Sequence, residues 1–420
     1  MKTLNRILFS LLIALCSLLF VTCSRGADWV EFRGAGGRGV SSSRITPPLG
    51  LRWKINLQDS NEIIRSLNPP VVIGNTIYFG SDDGNFYALD VESGYMRWVF
   101  RSGAEINSIP YADRDKVYFG SKDGKLYALC RETGQEMWTF SARGQINSQV
   151  RRHKDYIIFV GDADAFYFVS PDGVEQFNIP NPGWYNFSFL IYDDVLYFAT
   201  GPRVDQVGPF DINRREFLWF LPFHEIDAIW YSFPAISGDL LFFGTAGISW
   251  HGLHLGYYAF NRHTGEKVWV QQFDAVLKDT LSDFFDFGYI WDLFLRYIDL
   301  LDFMAPAVWR DRISGRTLVI FAGGDRVVRA FDAATGELRW EKLFDTPISS
   351  APTIASGRVY FGVLGDDNNP PRLVSISARN GRLLWEMETE GSLLSAPVIA
   401  GRRIIFGTDR SVFYVLEQVF

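Results

Sequence analysis

Cysteine is almost absent from this chain: three residues in 420, at Cys16, Cys23 and Cys130. The first two sit at the extreme N-terminus, which leaves Cys130 without a partner. A disulfide framework is therefore excluded, and a hydrophobic core has to hold the fold together. Positive charge is not in excess either, with a formal net charge of −7. No Lys/Arg cluster stands out, and such a chain is a poor nucleic-acid binder because phosphate contacts supply most of that affinity. Long apolar runs are missing except for one, Ile7 to Val21. No phosphate-binding loop and no nucleophile triad is legible.

That single run follows Lys2 and Arg6 and is short for a membrane span, as the core of an export signal is. It ends at Phe20-Val21-Thr22-Cys23. A cysteine at this place is similar to a bacterial lipobox, which implies residues 1–23 as the signal, Cys23 as a lipidated first residue, and an exported protein. Thr22 and Phe20 depart from the usual lipobox residues. The alternative is an ordinary signal peptide cut near Ala27, with Arg25 badly placed for it.

What the chain does have is aromatic residues, 16% of the total, and 38 glycines. Short strands joined by tight turns use that mixture. A strand ending in an aromatic and a small residue recurs, with its Phe at 79, 119, 159, 198, 243, 321, 361 and 406. The steps are 39 to 45 residues, except for one of 78 between Phe243 and Phe321. Eight units follow, one preceded by an insertion. Each unit opens on a small polar residue, often before a Pro, as in Ser108-Ile109-Pro110 and Ser395-Ala396-Pro397. The aromatic strand follows, then an Asp-Gly-type turn, an alternating strand, a second turn, and a strand carrying Trp.

The last turn and strand are specific. ALDVESGYMRW ends at Trp98, ALCRETGQEMW at Trp138, AFNRHTGEKVW at Trp269 and AFDAATGELRW at Trp340; SISARNGRLLW, ending at Trp385, is a weaker copy. Trp219 belongs to the set, although Arg215 stands at its Gly position, and in the third unit Phe177 stands where Trp is due. The Gly permits positive φ, the Asp and Thr bond the turn, and the Trp is expected flat between neighbouring blades. This spacing resembles the tryptophan-docking motif of the quinoprotein-type (PQQ-like) β-propeller repeat family. The resemblance runs from about residue 28 to the end.

The expected fold is all-β: an eight-bladed β-propeller of four-stranded antiparallel blades over 51–420. After Gly407 there is room for one more strand, so the last blade lacks its Trp strand. Leu51 to Leu57, carrying Trp53, is expected to supply it and close the ring. Residues 24–50, with a Gly-rich stretch, read as a tether. Between blades five and six, 274–303 reads as an amphipathic helical insertion, with a smaller loop at 310–315. Asp292, Arg296, Asp299 and Asp302 fall on one face; Trp291, Phe294, Tyr297, Ile298 and Leu301 fall on the other. Two readings stand. The insertion folds back onto the propeller, or those five residues dock a protein partner, which its seven aspartates favour over lipid.

Chemistry is harder to find. Quinoprotein dehydrogenases hold PQQ in the central funnel with Ca²⁺ on carboxylate and amide oxygens, and one branch adds a disulfide of adjacent cysteines. This chain has no Cys-Cys and no carboxylate cluster assignable to Ca²⁺. His251-x-x-His254 with His263 has no zinc-site companions. Asp82-Asp83-Gly84, Asp162-Ala163-Asp164 and Asp366-Asp367-Asn368-Asn369 fall where hairpin turns are due and complete no calcium loop. The remaining ligand candidates are the small polar column Asn68, Ser108, Ser148, Ser232, Ser350 and Ser395, expected to line the funnel. The competing reading is that they merely fit where eight strands crowd.

The whole pattern resembles the BamB lipoproteins of the outer-membrane barrel-assembly machinery. The resemblance implies a non-catalytic envelope scaffold on the outer membrane, facing the periplasm, without metal or cofactor. Two alternatives remain at this point: a periplasmic PQQ- and Ca²⁺-dependent dehydrogenase, and a propeller binding a sugar or peptide.

Overall fold

A computed structural model of the chain describes residues 28–57, 68–161, 165–180, 189–199, 206–222, 230–249, 252–275, 305–322, 326–366 and 368–419. They form eight antiparallel sheets; in seven the strands follow sequence order from the inside of the ring outward, and in the eighth the outermost strand comes from the N-terminal end of the described chain. Blade one is typical: Val71–Ile73, Thr76–Gly80, Asn85–Asp90 and Met96–Arg101. Its second strand is buried along its whole length, whereas its outermost strand alternates between exposed and half-buried. A period of two with one face packed on the neighbouring blade produces that pattern. Tyr78, Phe86 and Phe119 are almost fully buried between blades one and two, and Phe86 stacks on Phe119 at 4.1 Å.

The ring closes through the two ends of the chain. Leu49–Asn56 pairs antiparallel with Val412–Gln418, Trp53 opposite Val415. The closing strand therefore starts two residues before its expected position. The termini thus share one sheet, with Val398–Ala400 and Arg403–Gly407 inside them.

Residues 28–48 are not a tether. They run into the ring and touch the inner part of every blade in turn. Trp29 exchanges two backbone hydrogen bonds with Val72 of blade one, at 2.8 and 2.7 Å, and Val30 accepts from Ala112 of blade two. Glu31 pairs with Arg151 of blade three at 2.8 Å. Gly37 lies against Leu190 of blade four, and Phe32 meets Phe233 of blade five edge to face at 5.3 Å. Arg33 donates to the carbonyl of Pro306 in blade six at 2.6 Å. Gly39 accepts from Ile354 of blade seven, and Ser41 donates to the Ile399 carbonyl of blade eight. The glycines that suggested a flexible linker serve close approach instead. A Cβ on Gly37 would stand 2.7 Å from Leu190 and 3.0 Å from Phe233, and its φ of +64° already favours glycine.

Blade five is longer than the others. Its last three strands, Leu240–Ser249, Gly252–Asn261 and Lys267–Ala275, have ten, ten and nine residues, against five, six and six in blade one. They extend past the face of the ring on which the inner strands begin. Asp274 and Ala275, expected in the insertion, are strand residues opposite His254 and Leu253. The chain leaves this blade at Ala275 and is next described at Ala305. Trp291, Phe294, Tyr297, Ile298 and Leu301 lie outside the described residues, as does Cys23 with the whole of 1–27. The only helical turn among the described residues is the three-residue Ala35–Gly37. Residues 310–315 are not inserted; they form the ordinary hairpin turn between Ala307–Arg310 and Thr317–Ala322.

Candidate functional site

The first strands of the blades converge on the ring axis, so a ligand in the funnel would meet the residues at their heads. The small polar column sits there, but its side chains turn away from the axis. Ser108 donates to the carbonyl of Gly120 at 2.8 Å and accepts from the Gly120 amide at 2.7 Å. Ser148 does the same with Val160. Ser232 and Ser350 accept from the amides of Gly244 and Gly362, at 2.7 and 2.8 Å. Ser395 is buried at the corresponding place, and Asn68 donates to the Ile106 carbonyl. The hydroxyls of Ser108, Ser148, Ser232 and Ser350 extend the ladder between a blade's first and second strands beyond the point where their backbones diverge.

What faces the axis is the next residue along. Phe233, Ala305, Ala351 and Ala396 pack in one cluster with Phe32, and Ile109 lies against it. A strand sends successive side chains to opposite sides, so the serine and its neighbour divide the work: one bonds the blade, the other forms a collar that is apolar except at Gln149. Phe32 fills the collar and is only 2% exposed; Arg33 beside it is 1% exposed. The signal in the sequence was this alternation, which a search for polar residues alone passes over. A calcium-bound quinone needs carboxylate and amide oxygens converging on the axis. The collar offers alanine methyls, phenyl rings and one amide, Gln149, buried after Ser148 with its Nε2 bonded to the Phe189 carbonyl, and Glu31, the carboxylate that enters it, is engaged by Arg151 through both oxygens. One amide and one arginine-bound carboxylate fall short of the oxygen set that group needs.

The other candidates are scattered. His254 lies in the extended part of blade five and His263 in the turn after the same strand, bonded to Asp239 at 3.1 Å; His251 is outside the described residues. Asp83 accepts from the Asn85 amide, within its own turn. Asp366 accepts from the amides of Asn368 and Asn369 at 2.8 and 2.7 Å. Those bonds, led by Asn368, hold its carboxyl below the ordinary range. Asp162–Asp164 and Asp367 are outside the described residues. Among the described residues no three His, Cys, Asp or Glu side chains cluster to hold a metal.

The tryptophans lie at the seams between blades. The indole N–H of Trp53 donates to the Val91 carbonyl of the next blade at 2.8 Å. Trp98, Trp138, Trp219, Trp269 and Trp340 donate likewise to Arg131, Pro171, Arg262, Ala333 and Ala378. Each ring lies on the turn glycine of the next blade; a Cβ on Gly134 would stand 2.6 Å from Trp98. Trp385 packs where the chain ends meet, beside the cluster of Tyr360, Leu373 and Leu416. The third seam differs. There Phe177 lies under the guanidinium of Arg215, at 4.3 Å.

The outer strand of every blade is the last in its sheet, so its outer edge is unpaired among the described residues. These edges, the extended blade five and the two faces are the surfaces open to partners.

The family model for outer membrane protein assembly factor BamB matches residues 44–174 and 258–417. Among solved structures, BamB from Moraxella catarrhalis is similar with a TM-score of 0.63 at 15% identity, over 88% of this chain and 99% of that one. A europium-containing methanol dehydrogenase gives 0.66 at 12%, over 93% and 98%. Quinohemoprotein alcohol dehydrogenase from Comamonas testosteroni gives 0.65 at 15%, over 96% and 82%. At such identities the likeness is one of fold, and the same ring carries an assembly factor and dehydrogenases. No curated protein sequence matches the chain.

Proposed function

We propose that this chain, which belongs to the family of outer membrane protein assembly factor BamB, is a non-catalytic scaffold of the bacterial envelope that binds other envelope proteins during outer-membrane barrel assembly. Cys23 is its lipid anchor in this reading, and the propeller faces the periplasm. The observation that carries the proposal is the filled axis. Phe32 and Arg33 occupy the place where a propeller enzyme would open a pocket, so binding is left to the rim and the faces. No cofactor or metal is required for that role.

Affinity purification from the native envelope tests it, with the wild type compared against a deletion of 276–304. Barrel-assembly components are expected to copurify with the wild type and to be depleted in the deletion. A preparation that recovers no envelope protein, and that reduces a dye with an alcohol when PQQ and Ca²⁺ are added, would instead establish the dehydrogenase reading.

A further inference from the structure

Arginines far apart in the sequence meet on one face of the ring. In an antiparallel blade, the turn between the first two strands and the turn between the last two open on the same face. Arg310 ends Ala307–Arg310 of blade six, and Arg312 and Arg316 lie in the turn that follows. In blade seven, Arg358 opens Arg358–Val363 and Arg382 precedes Leu383–Glu388. The two blades are tied here by Arg379 and Asp311 at 2.8 Å. Arg44 runs beside them: Ser356 accepts from the Ile45 amide at 3.2 Å and donates to the Ser43 carbonyl at 3.3 Å.

The six charges of Arg44, Arg310, Arg312, Arg316, Arg358 and Arg382 are uncompensated. Five of these side chains are exposed and Arg358 is half-buried. Among the described residues none of the six makes an ion pair. The carboxylates nearby are already engaged: Asp311 by Arg379, Glu337 by Arg339 at 2.9 Å and Glu417 by Arg52 at 2.6 Å. Asp332 accepts from the amides of Ala334 and Thr335 in its own turn. A strongly positive patch thus stands in a chain of net charge −7. Apolar groups stand among the charges. Ile313, at the tip of the turn between Arg312 and Arg316, is 81% exposed, and Tyr95, in the outer turn of blade one on the same face, is 79% exposed.

The chain also leaves the ring on this face. Asp28 accepts from the Gly74 amide at 2.9 Å, in the turn between the first two strands of blade one. Five residues separate Asp28 from Cys23, a reach of at most about 18 Å. With Cys23 as lipid anchor, this face and not the opposite one is held at the leaflet.

We infer that this arginine face of blades six and seven lies on a bilayer surface of anionic phospholipid, with Ile313 entering the layer beneath the headgroups. Guanidinium groups take phosphate oxygens in pairs, and negative leaflets attract basic surfaces close to them. An acidic protein would serve the arginines but leave Ile313 and Tyr95 in water, whereas the headgroup layer has apolar chains below its charge. The inference rests on the scaffold reading for the anchor at Cys23; the charge and the exposed apolar tip are independent of it.

The probe is the chain from Ser24 onward, which carries no acyl group and keeps every described residue, sedimented with vesicles. Saturable binding is expected to vesicles of equal parts phosphatidylglycerol and phosphatidylcholine, weakened by salt, and none to phosphatidylcholine alone. R312E/R316E is expected to bind at least tenfold more weakly, and I313S about threefold more weakly. R101E/K125E reverses two exposed charges at the opposite face and is expected to bind as wild type does. No binding by the wild type, equal binding to the two kinds of vesicle, no loss in R312E/R316E, or an equal loss in R101E/K125E overturns the inference. Tighter binding to soluble poly-glutamate, with no effect of I313S on the vesicles, assigns the patch to an acidic protein and also overturns it. The envelope purification is read separately. If the wild type recovers barrel-assembly components while the vesicles stay unbound, the scaffold stands and the lipid face falls. If the vesicles bind as expected while no envelope protein is recovered, the lipid face stands and the scaffold falls.

Discussion

Between blades one and two, the Trp98 indole lies flat on Gly134 and donates to Arg131 at 3.0 Å. Between blades three and four, the Phe177 ring takes the place of the indole and Arg215 takes the place of the glycine, 4.3 Å apart. The two turns are otherwise alike. Gly134 has φ +71° and donates to the Cys130 carbonyl at 2.8 Å; Arg215 has φ +60° and donates to Asp211 at 2.8 Å. The same backbone thus accommodates opposite side-chain solutions. A large ring demands no side chain opposite it, whereas a smaller ring leaves a gap that a guanidinium fills, with a cation–π attraction in compensation. The two departures from the repeat are one compensated contact, and the non-glycine φ is its cost.

The largest expected effect comes from mixing the two solutions. G134R in the wild-type background drives a side chain into Trp98 and forces arginine to a left-handed φ. Overpacking and backbone strain together are expected to cost about 3 kcal/mol, read as a fall in the urea midpoint at constant slope. Adding W98F transplants the blade-three solution and is expected to recover at least about 1 kcal/mol of that loss. A double variant no more stable than G134R alone would show that the pairing is accidental.

The reverse transplant is milder. F177W with Arg215 retained is expected to cost about 1–3 kcal/mol, because the indole meets a side chain where its counterparts meet a glycine. F177W/R215G rebuilds the common seam and is expected to reach wild-type stability or exceed it. The coupling between the two sites, about 0.5–3 kcal/mol, comes from the double-mutant cycle. A coupling of zero sinks the account of this seam while leaving the six tryptophan–glycine seams untouched.

The comparison also marks what the sequence made legible. The eight units, the closing strand around Trp53 and the seam tryptophans follow from repeats of about forty residues, since a blade is a local hairpin pattern with fixed turn chemistry. Phe177 and Arg215 were visible as departures from the repeat. Their meeting was not, because they belong to successive blades and only the ring's curvature brings them together. The axis stayed open between two readings for the same reason. Ser108 and Ile109 are neighbours, and which of them faces the funnel depends on strand register against Gly120, not on polarity. Residues 28–48 have no repeat at all. Their path is set by eight separate contacts, such as Phe32 on Phe233 and Arg33 on Pro306, none of them encoded nearby in the chain.

The smallest expected effect separates the two seams by pH. Trp98 holds blade two through a neutral indole bond to the Arg131 carbonyl, shared with the Tyr78 hydroxyl, a phenol whose pKa burial pushes further up and which stays protonated throughout the acid range. Blade three also grips blade four by charge: Lys154 and His153 both contact Asp194, each at 2.6 Å. Bonds from Lys154, then Asn213 and His153, hold the Asp194 carboxyl well below the ordinary carboxylate range. A depressed carboxyl stabilises the fold fully above its unfolded value of about 3.9 and loses that contribution as pH falls toward its own lower value. Asp194 is 30% exposed, so solvent limits the pair to at most about 1 kcal/mol at neutral pH. D194N is therefore expected to be slightly less stable than wild type at pH 5, with the gap narrowing steadily below about pH 4. The gap between W98F and wild type is expected to stay constant over the same range. Urea unfolding of the three proteins at pH 5, 4 and 3 decides it. A D194N gap that does not narrow would mean the charged contact adds nothing to the seam, leaving Phe177 with Arg215 and the apolar cluster around Phe166, Phe168, Phe189 and Phe198 to hold blades three and four together.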